Sequence, residues 1–325
     1  MLSKKTIGFL LKIVIVVLAL YFLYGKLTSK QSIEGFDIDF IKQTIFTNIP
    51  LVVLVFIMMF FNWFVEAVKW RFLITKIEQV SMVTSLRAVF SGITVSVFTP
   101  NRMGEYGGRV FCLEKADRIE GVIITILGSM AQFLTTIFFG SIGILFLNNY
   151  LPDLEKLFLK IEVAYPIMLF LLLLLNSLLL LLFHNISIIS NLMDKFGWFK
   201  KYKKYKDVFT YYNSQELLVV FILSVIRYLI FTTQFFILLK LFVVEISYFD
   251  AAILTMVMLF VISIIPTIAI SEIGIRASVA VYLFGLISLN TLGILSATFV
   301  LWVINLLLPA IIGTFFVFTL KFFRQ

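Results

Sequence analysis

Two short stretches of the chain decide its fold: PNRMGEYGGR at residues 100–109 and PTIAISEIGIR at residues 266–276. Each begins with a proline that ends an apolar run, and each carries a glutamate followed four residues later by an arginine. Proline lacks a backbone N–H and clashes with the preceding helical turn, so both runs are expected to break here. The distance along the chain from one proline to the other is within one residue of the distance from one Glu–Arg pair to the other. This nearly constant separation indicates an internal repeat.

The composition places these stretches in a membrane protein. Of the 325 residues, 61% are hydrophobic and 14% are charged, whereas soluble domains are about 45–50% apolar and about 25% charged. The mean hydropathy is +1.07. Such a chain has too little polar surface for a soluble globule, which excludes a cytosolic enzyme, a secreted disulfide scaffold and a free nucleic-acid-binding domain.

Apolar runs of about 20 residues predict membrane-spanning helices, and six runs are long enough. They are Ile7–Tyr24, Ile49–Val68, Val122–Leu147, Val163–Phe183, Leu217–Phe242 and Thr291–Leu320. Two further apolar runs, Met82–Thr99 and Ala251–Ile265, stop at the two prolines and predict broken or re-entrant hairpins. Each apolar run is resumed by a short segment, Val110–Leu113 or Ala277–Ile287. We therefore predict an all-α polytopic membrane protein with about six full spans plus two broken, re-entrant helical hairpins.

The order of these elements predicts one membrane domain, residues 1–325, built as an inverted repeat. Its parts are an N-terminal helix and outer loop (1–48), a first repeat (49–147, hairpin about 82–120), connecting spans with a basic cytoplasmic loop (148–216), and a second repeat (217–320, hairpin about 251–288). Three full spans separate the hairpins, so they enter from opposite faces of the membrane. Secondary transporters are often built this way, with the binding site at the broken helices.

The positive charges predict the orientation. With the N-terminus inside and each hairpin returning to its own side, most of the 27 lysines and arginines lie on the inner side, as the positive-inside rule requires. We therefore expect a multi-pass protein of the cytoplasmic (inner) membrane with both termini cytoplasmic. The same rule accounts for the lysine-rich run 195–206 as a loop beside anionic lipid headgroups, so no nucleic-acid partner is expected.

The charged residues at the breaks form the predicted binding site. Glu105 and Arg109 lie four residues apart and so share a helical face, as do Glu272 and Arg276. A charge at the bilayer centre costs roughly 2.5–3.5 kcal/mol, which favours a functional use for both pairs over the alternative that each only holds its hairpin together. An arginine beside a helix N-terminus suits a phosphate group. In this interpretation the two arginines hold the phosphate and the glutamates orient them.

Further substrate-binding candidates lie at the breaks or on neighbouring spans. They are Asn101, Arg102, Gly104, Ser271, Asn62, Glu66 and Arg227. The chain has one cysteine and one histidine and lacks a phosphate-loop or metalloprotease motif, so we expect no catalytic residue, metal or cofactor.

Polar residues on the spans predict structural roles. Lys69, Trp70 and Arg71 are expected to be anchors at the membrane interface. Gln132 and Asn305 are expected to form hydrogen bonds between helices.

Several of these residues resemble the motifs of a known family, the lysylphosphatidylglycerol synthase transmembrane-region family of flippase-like proteins. The resemblance covers about residues 5–320 and is carried by Asn62 with Trp70-Arg71 and by the two breaks, 100–109 and 271–276. The first break is the more specific. At the second, a serine and a glutamate stand where a glycine pair is common, and alanine and serine follow the arginine where a glutamate is expected.

The resemblance implies a lipid translocase that moves a phospholipid or a polyprenyl-phosphate-linked lipid between leaflets. In the best-known relatives this membrane unit is joined to a soluble aminoacyl transferase, and it moves the product of that enzyme. The expected partners are a membrane lipid with an anionic headgroup and a lipid-modifying synthase, and an oligomer is compatible with the pattern.

Two alternatives remain open. One is an intramembrane transferase with Glu105 or Glu272 as the general base. The other is a non-transporting partner of a separate synthase. Because no soluble catalytic domain is predicted, a transporter is favoured over an enzyme.

Overall fold

The computed structural model describes residues 38–147, 150, 164–188, 203–265, 269–318 and 320, together with isolated helical positions between residues 7 and 21. These residues are mainly helical and contain no strand, which confirms the all-α class. Four helices are long and apolar enough to cross a membrane, and they coincide with four of the six predicted spans. The chain is therefore a polytopic membrane protein. The predicted span Ile7–Tyr24 and Pro266 lie largely or wholly outside the described residues.

The first repeat consists of a long helix, a hairpin and a second long helix. A short helix α1 (Ile38–Thr47) leads into α2 (Ile49–Ile74), α3 (Met82–Ser96), α4 (Gly104–Val110) and α5 (Arg118–Leu147). Ser81 begins α3 because its hydroxyl accepts a hydrogen bond from the Thr84 backbone N–H at 3.1 Å, which satisfies a donor that lacks a partner within the helix.

The second repeat has the same order of elements. After α6 (Ala164–His184) and a single helical turn (Lys203–Lys206), the helices are α7 (Ser214–Leu241), α8 (Tyr248–Ile264), α9 (Ala269–Phe284), α10 (Thr291–Trp302), a π-helical turn (Val303–Leu307) and α11 (Leu308–Val317). Asn213 and Glu216 begin α7 with a capping box, in which each side chain accepts from the other residue's backbone N–H.

Both hairpins break where predicted, and a helix follows each break, as the shared helical face of each Glu–Arg pair requires. The first of these helices, α4, begins at Gly104 and ends at Val110. The second, α9, begins at Ala269. A proline disturbs only the turn before it, and the segments after both breaks place a glutamate in the first turn, where it stabilises the helix dipole.

Glycines allow the two limbs of the first hairpin to touch along their backbones. A Cβ atom at Gly108 would lie 2.7 Å from Gly92 Cα, and one at Gly104 would lie 2.6 Å from the Val95 carbonyl oxygen. Residue 104 thus lies beside 95 and residue 108 beside 92, so α3 and α4 are antiparallel. Any side chain at these glycines would force the limbs apart.

Each hairpin packs against the last helix of the other repeat. Gly313 of α11 lies so close to α3 that an added Cβ would collide with the Phe90 carbonyl oxygen, and Thr94 Oγ1 donates to the Ala310 carbonyl at 2.7 Å. On the other side, a Cβ at Gly140 of α5 would collide with Phe260 of α8. Small residues permit such close approach between membrane helices. The two repeats therefore interlock, and they bring their charged residues into one interior.

Candidate functional site

A first cluster of charged side chains surrounds Glu66 on α2. One Glu66 carboxylate oxygen accepts from Arg109 Nη1 at 2.7 Å, and the other contacts Lys69 Nζ at 2.8 Å and Arg227 Nη1. Lys69 is 1% exposed and Arg109 is 3% exposed. Glu66, Lys69 and Arg109 are thus buried together, and their charges compensate one another at close range.

Side chains from two helices, α2 and α5, hold Arg227 of α7 in the Glu66 cluster. Its Nε donates to Asn62 Oδ1 of α2 at 3.0 Å, and its Nη1 donates to Gln132 Oε1 of α5 at 3.2 Å. The guanidinium carbon lies 5.2 Å from the centre of the Trp63 ring, a cation–π distance. Arg227 therefore joins the second repeat to the first.

Arg109 ties the first hairpin to α2. Its Nη1 binds Glu66 and its Nη2 binds Glu105, the residue four positions earlier on α4. The contact between Glu105 and Arg109 confirms that the two side chains share a helical face. The remaining donor, Arg109 Nε, is buried and has no acceptor among the residues that the structure describes.

A second cluster forms around Glu272 on α9. One carboxylate oxygen of Glu272 accepts from Arg276 Nη2 at 2.8 Å and from Arg102 Nη2 at 2.6 Å. Arg102 belongs to the turn of the first hairpin, so this contact joins the two hairpins directly. The side chain of Arg102 is 37% exposed, whereas Glu272 is buried.

The turn that carries Arg102 has an unusual backbone. Asn101 has a φ of 49° and Arg102 a φ of 56°, in the left-handed region that non-glycine residues rarely adopt. Each such residue costs on the order of 1–2 kcal/mol. Thr99 supports the turn, because its Oγ1 accepts from the Gly104 backbone N–H at 2.8 Å. The strained turn directs Arg102 toward Glu272.

A cavity of about 380 Å³ opens beside the Glu272 cluster. Its lining residues come from the first hairpin turn, the end of α8 and the start of α9: Asn101, Arg102, Ile262, Ser263, Ile264, Ile265, Glu272 and Arg276. The lining combines three charged residues with three isoleucines. Guanidinium groups hold phosphate oxygens through paired hydrogen bonds, so the cavity can take an anionic group attached to a hydrocarbon.

The structure divides the predicted site residues between these two places. The Glu66 cluster contains Asn62, Glu66, Glu105, Arg109 and Arg227, and the cavity is lined by Asn101, Arg102, Glu272 and Arg276. Gly104 packs against α3, and the side chain of Ser271 lies outside the described part. Arg109 and Arg276, predicted to hold one phosphate together, stand in different clusters.

The prediction that Lys69 and Trp70 are interfacial anchors was wrong. Lys69 is in the Glu66 cluster, and the buried Trp70 donates from Nε1 to Thr125 Oγ1 at 3.0 Å. The position of Lys69 in the sequence could have indicated this contact, because a lysine three residues after a glutamate, here Glu66, lies on the same helical face. Gln132 and Asn305 bond between helices as predicted, Asn305 Nδ2 donating to Gln234 Oε1 at 2.8 Å.

The described end of the basic loop contacts protein carboxylates. Lys204 Nζ donates to Asp117 Oδ2 at 2.8 Å and lies 3.2 Å from a Glu120 oxygen. The hydrogen bond from Lys204 lowers the pKa of the Asp117 carboxyl below its usual range. This contact fastens the loop to the start of α5.

Comparison with known proteins gives one match that includes both clusters. The family model for the lysylphosphatidylglycerol synthase TM region matches residues 9–313. Neither a curated protein nor a solved structure matches the chain significantly. A match of this extent indicates a membrane protein of lipid metabolism or transport, and the chain belongs to the lysylphosphatidylglycerol synthase transmembrane-region family.

Proposed function

We propose that this protein is a lipid translocase that moves a phospholipid or a polyprenyl-phosphate-linked lipid between the leaflets of the cytoplasmic membrane. The observation that carries the proposal is the contact between Arg102 and Glu272, which joins the two hairpins beside a cavity lined by both charged and apolar residues. In transporters with inverted repeats, the substrate binds where broken helices of the two repeats meet.

The charged lining of the cavity suits a phosphodiester. Arg102 and Arg276 both present guanidinium groups, and Arg276 Nε is buried without an acceptor among the described residues. Glu272 accepts from both arginines and fixes their positions. The three side chains together carry one excess positive charge, which balances the single negative charge of a phosphodiester. The start of α9 adds the positive end of a helix dipole.

The apolar lining of the cavity suits the hydrocarbon part of a lipid. Ile262, Ile264 and Ile265 come from the end of α8 and line the same cavity as the charged residues. A lipid bound here would place its phosphate on the arginines and keep its hydrocarbon against isoleucine. The cost of moving a headgroup through the membrane would then be reduced by the arginines, while the acyl or prenyl chains remain in an apolar environment.

Movement between leaflets follows from competition for Arg102. A phosphate that takes the Arg102 guanidinium from Glu272 removes the ion pair between the hairpins. The turn at Asn101 and Arg102 is strained, so loss of that contact favours its relaxation. The two repeats then rock apart around the bound headgroup and expose it to the other side.

The test is lipid movement in reconstituted vesicles. Purified protein in liposomes is expected to accelerate transbilayer movement of a labelled anionic phospholipid or polyprenyl phosphate over protein-free vesicles. Arg276→Ala should reduce that rate at least tenfold, because it removes a ligand of the phosphate. Lys42→Ala is the matched control, since Lys42 is an exposed basic residue that contacts Asp39 and lies outside both charged clusters.

Three results would contradict the proposal. The first is no acceleration for either class of lipid with folded protein. The second is a new covalent lipid species in the vesicles, which would favour the transferase. The third is a stable complex with a soluble synthase and no lipid movement, which would favour the non-transporting partner.

A further inference from the structure

The cavity beside the Glu272 cluster opens between exposed side chains. Three residues of its lining are also exposed on the surface of the protein: Arg102, whose side chain is 37% exposed, Ile264 (61%) and Ile265 (37%). A residue that both lines a cavity and is exposed lies at its opening. Met103, which follows Arg102 in the chain, is 63% exposed. The opening is therefore framed by one arginine and by large apolar side chains.

The lengths of two helices place this opening inside the membrane. Helices α3 and α8 each follow a spanning helix, α2 or α7, after a short loop. Their 15 and 17 residues extend about 22 and about 25 Å at a rise of about 1.5 Å per residue. The hydrocarbon core of a bilayer is about 30 Å thick. Both helices therefore end within the core.

The two hairpins approach the opening from opposite faces of the membrane. Lys76 Nζ, just after α2, contacts a Glu216 oxygen in the first turn of α7 at 2.6 Å. The end of α2 and the start of α7 thus lie on one face, so α3 starts from that face and α8 from the other. The hairpins meet where Arg102 contacts Glu272. The opening beside this contact lies at the depth of the acyl chains.

The size of the cavity separates a headgroup from the rest of a lipid. The volume of about 380 Å³ is near the lower end for pockets that hold drug-sized molecules, roughly 300–1,000 Å³. A lipid whose phosphate is bound by Arg102 and Arg276 must therefore keep its long hydrocarbon outside the cavity. The opening beside Ile264 and Ile265 leads into the bilayer, where hydrocarbon is solvated best.

The exposed arginine adds an independent reason for an anionic lipid. A charge at this depth is costly unless it is paired. Glu272 is shared between Arg102 and Arg276, so these three side chains carry one excess positive charge. The phosphate of a lipid supplies the balancing negative charge at the opening, and its hydrocarbon covers the neighbouring isoleucines.

We propose that this opening is a hydrocarbon exit: the headgroup of an anionic lipid occupies the cavity while its acyl or prenyl chains pass out beside Arg102, Ile264 and Ile265 into the bilayer. The inference deepens the translocase function proposed above and rests on its phosphate site. It commits the ligand to a phosphate group attached to long hydrocarbon rather than to a soluble phosphate. The chains stay in the bilayer throughout transport, and only the headgroup crosses the protein.

The first test determines what surrounds the opening. In a Cys112→Ser background, a nitroxide is attached at Met103→Cys or Ile264→Cys and the protein is reconstituted in liposomes. We expect frequent collisions with oxygen, which concentrates in hydrocarbon, and few with a water-soluble nickel chelate. Glu245→Cys, at an exposed position of the loop after α7, is the matched control and should show the reverse. A label at residue 103 or 264 that meets the nickel chelate as often as one at residue 245 would overturn the proposal.

The second test detects the lipid at the opening. A fluorophore at Met103→Cys is followed in vesicles that contain an anionic lipid with a quenching nitroxide on its chain, either phosphatidylglycerol or a long-chain alkyl phosphate. We expect quenching at least twofold stronger than by nitroxide-labelled phosphatidylcholine at the same mole fraction. Adding Arg276→Ala should make the quenching equal, because a phosphate ligand is lost. Leu174→Cys, an exposed position on α6, is the matched control and should be quenched equally by all these lipids.

Three outcomes separate this inference from the translocase. Equal quenching at residue 103 by the anionic lipids and by phosphatidylcholine overturns the hydrocarbon exit, even if lipid moves between leaflets. Stronger quenching by an anionic lipid without lipid movement supports the exit and contradicts the translocase. If inorganic phosphate raises the melting temperature of wild type but not of Arg276→Ala, and the anionic lipids quench no more strongly, the cavity binds a soluble phosphate and the exit is overturned.

Discussion

The two hairpins carry the same Glu–Arg motif, yet the structure places their arginines in different surroundings. Arg109 is held by two glutamates, one on its own helix and one on α2. Among the described residues, the acidic partner of Arg276 is Glu272, which it shares with Arg102, and Arg276 lines a cavity. The repeat spacing places Thr232 or Thr233 of α7 where α2 has Glu66. The second hairpin therefore has no carboxylate at the matching position of its supporting helix, which leaves Arg276 accessible to a ligand while Arg109 serves as an anchor.

The largest effect is expected from removing the carboxylate that distinguishes the two hairpins. Glu66→Gln leaves Lys69, Arg109 and Arg227 without their shared partner, and removing one partner from a buried ion pair costs about 3–5 kcal/mol. Glu272→Gln should cost less, because Arg102 is 37% exposed and can be hydrated. Thermal unfolding in detergent measures both. A larger loss of stability for Glu272→Gln would show the reverse assignment, with Arg276 as the structural anchor and Arg109 as the residue that binds the lipid.

The second prediction compares how closely the backbone is packed at one glycine of each hairpin. Gly108→Ala in the first hairpin would bring a Cβ within 2.7 Å of the Gly92 backbone, and such overpacking costs about 1–3 kcal/mol. Gly274→Ala in the second hairpin meets no atom within 4 Å, so it should stabilise α9 by about 0.5–1 kcal/mol. Melting temperatures of the two variants should move in opposite directions. A shift of the same sign for both would mean that the first hairpin is not held by close backbone contact.

The third prediction compares the replacement of Arg276 by lysine with the replacement of Arg109 by lysine. Lysine keeps the charge but loses the paired donors that hold a phosphate. Arg276→Lys should therefore slow lipid movement about tenfold, equivalent to about 1.4 kcal/mol, with little change in melting temperature. Arg109→Lys should mainly lower the melting temperature, because one ammonium replaces a guanidinium that binds Glu66 and Glu105. The opposite pattern would make Arg109 the ligand.

The smallest effect is expected at an exposed pair. Lys204 lowers the pKa of the Asp117 carboxyl, so this contact stabilises the protein when the pH is above the ordinary value for aspartate, about 3.9, and is lost as the pH falls through the lowered value. The small difference in melting temperature between wild type and Lys204→Ala should therefore shrink on acidification. A difference that grows at low pH would contradict the assignment.

Local patterns in the sequence predicted much of the fold. The four longest helices, both breaks and both Glu–Arg pairs depend on neighbours within a few turns, and these are found where predicted. The contact between Arg102 and Glu272 was not predicted, since 170 residues separate them and only the packing of the repeats brings them together. That Glu66 contacts three basic side chains was not predicted for the same reason, because two of them, Arg109 and Arg227, are also distant from it along the chain. Lys69 was missed because a basic residue near the end of a span usually lies at the interface.

The interlocking of the repeats has a consequence for how the protein is made. Gly313 lets α11 pack closely against α3, and Gly140 lets α5 pack closely against α8, so each half covers one side of the other half's hairpin. During synthesis, the surface of α3 that packs against α11 stays uncovered until α11, the last helix, is inserted. A truncated chain that ends before α11 would expose this surface and become a target for membrane proteases, and coexpressed halves should survive only when both are present in the same bilayer.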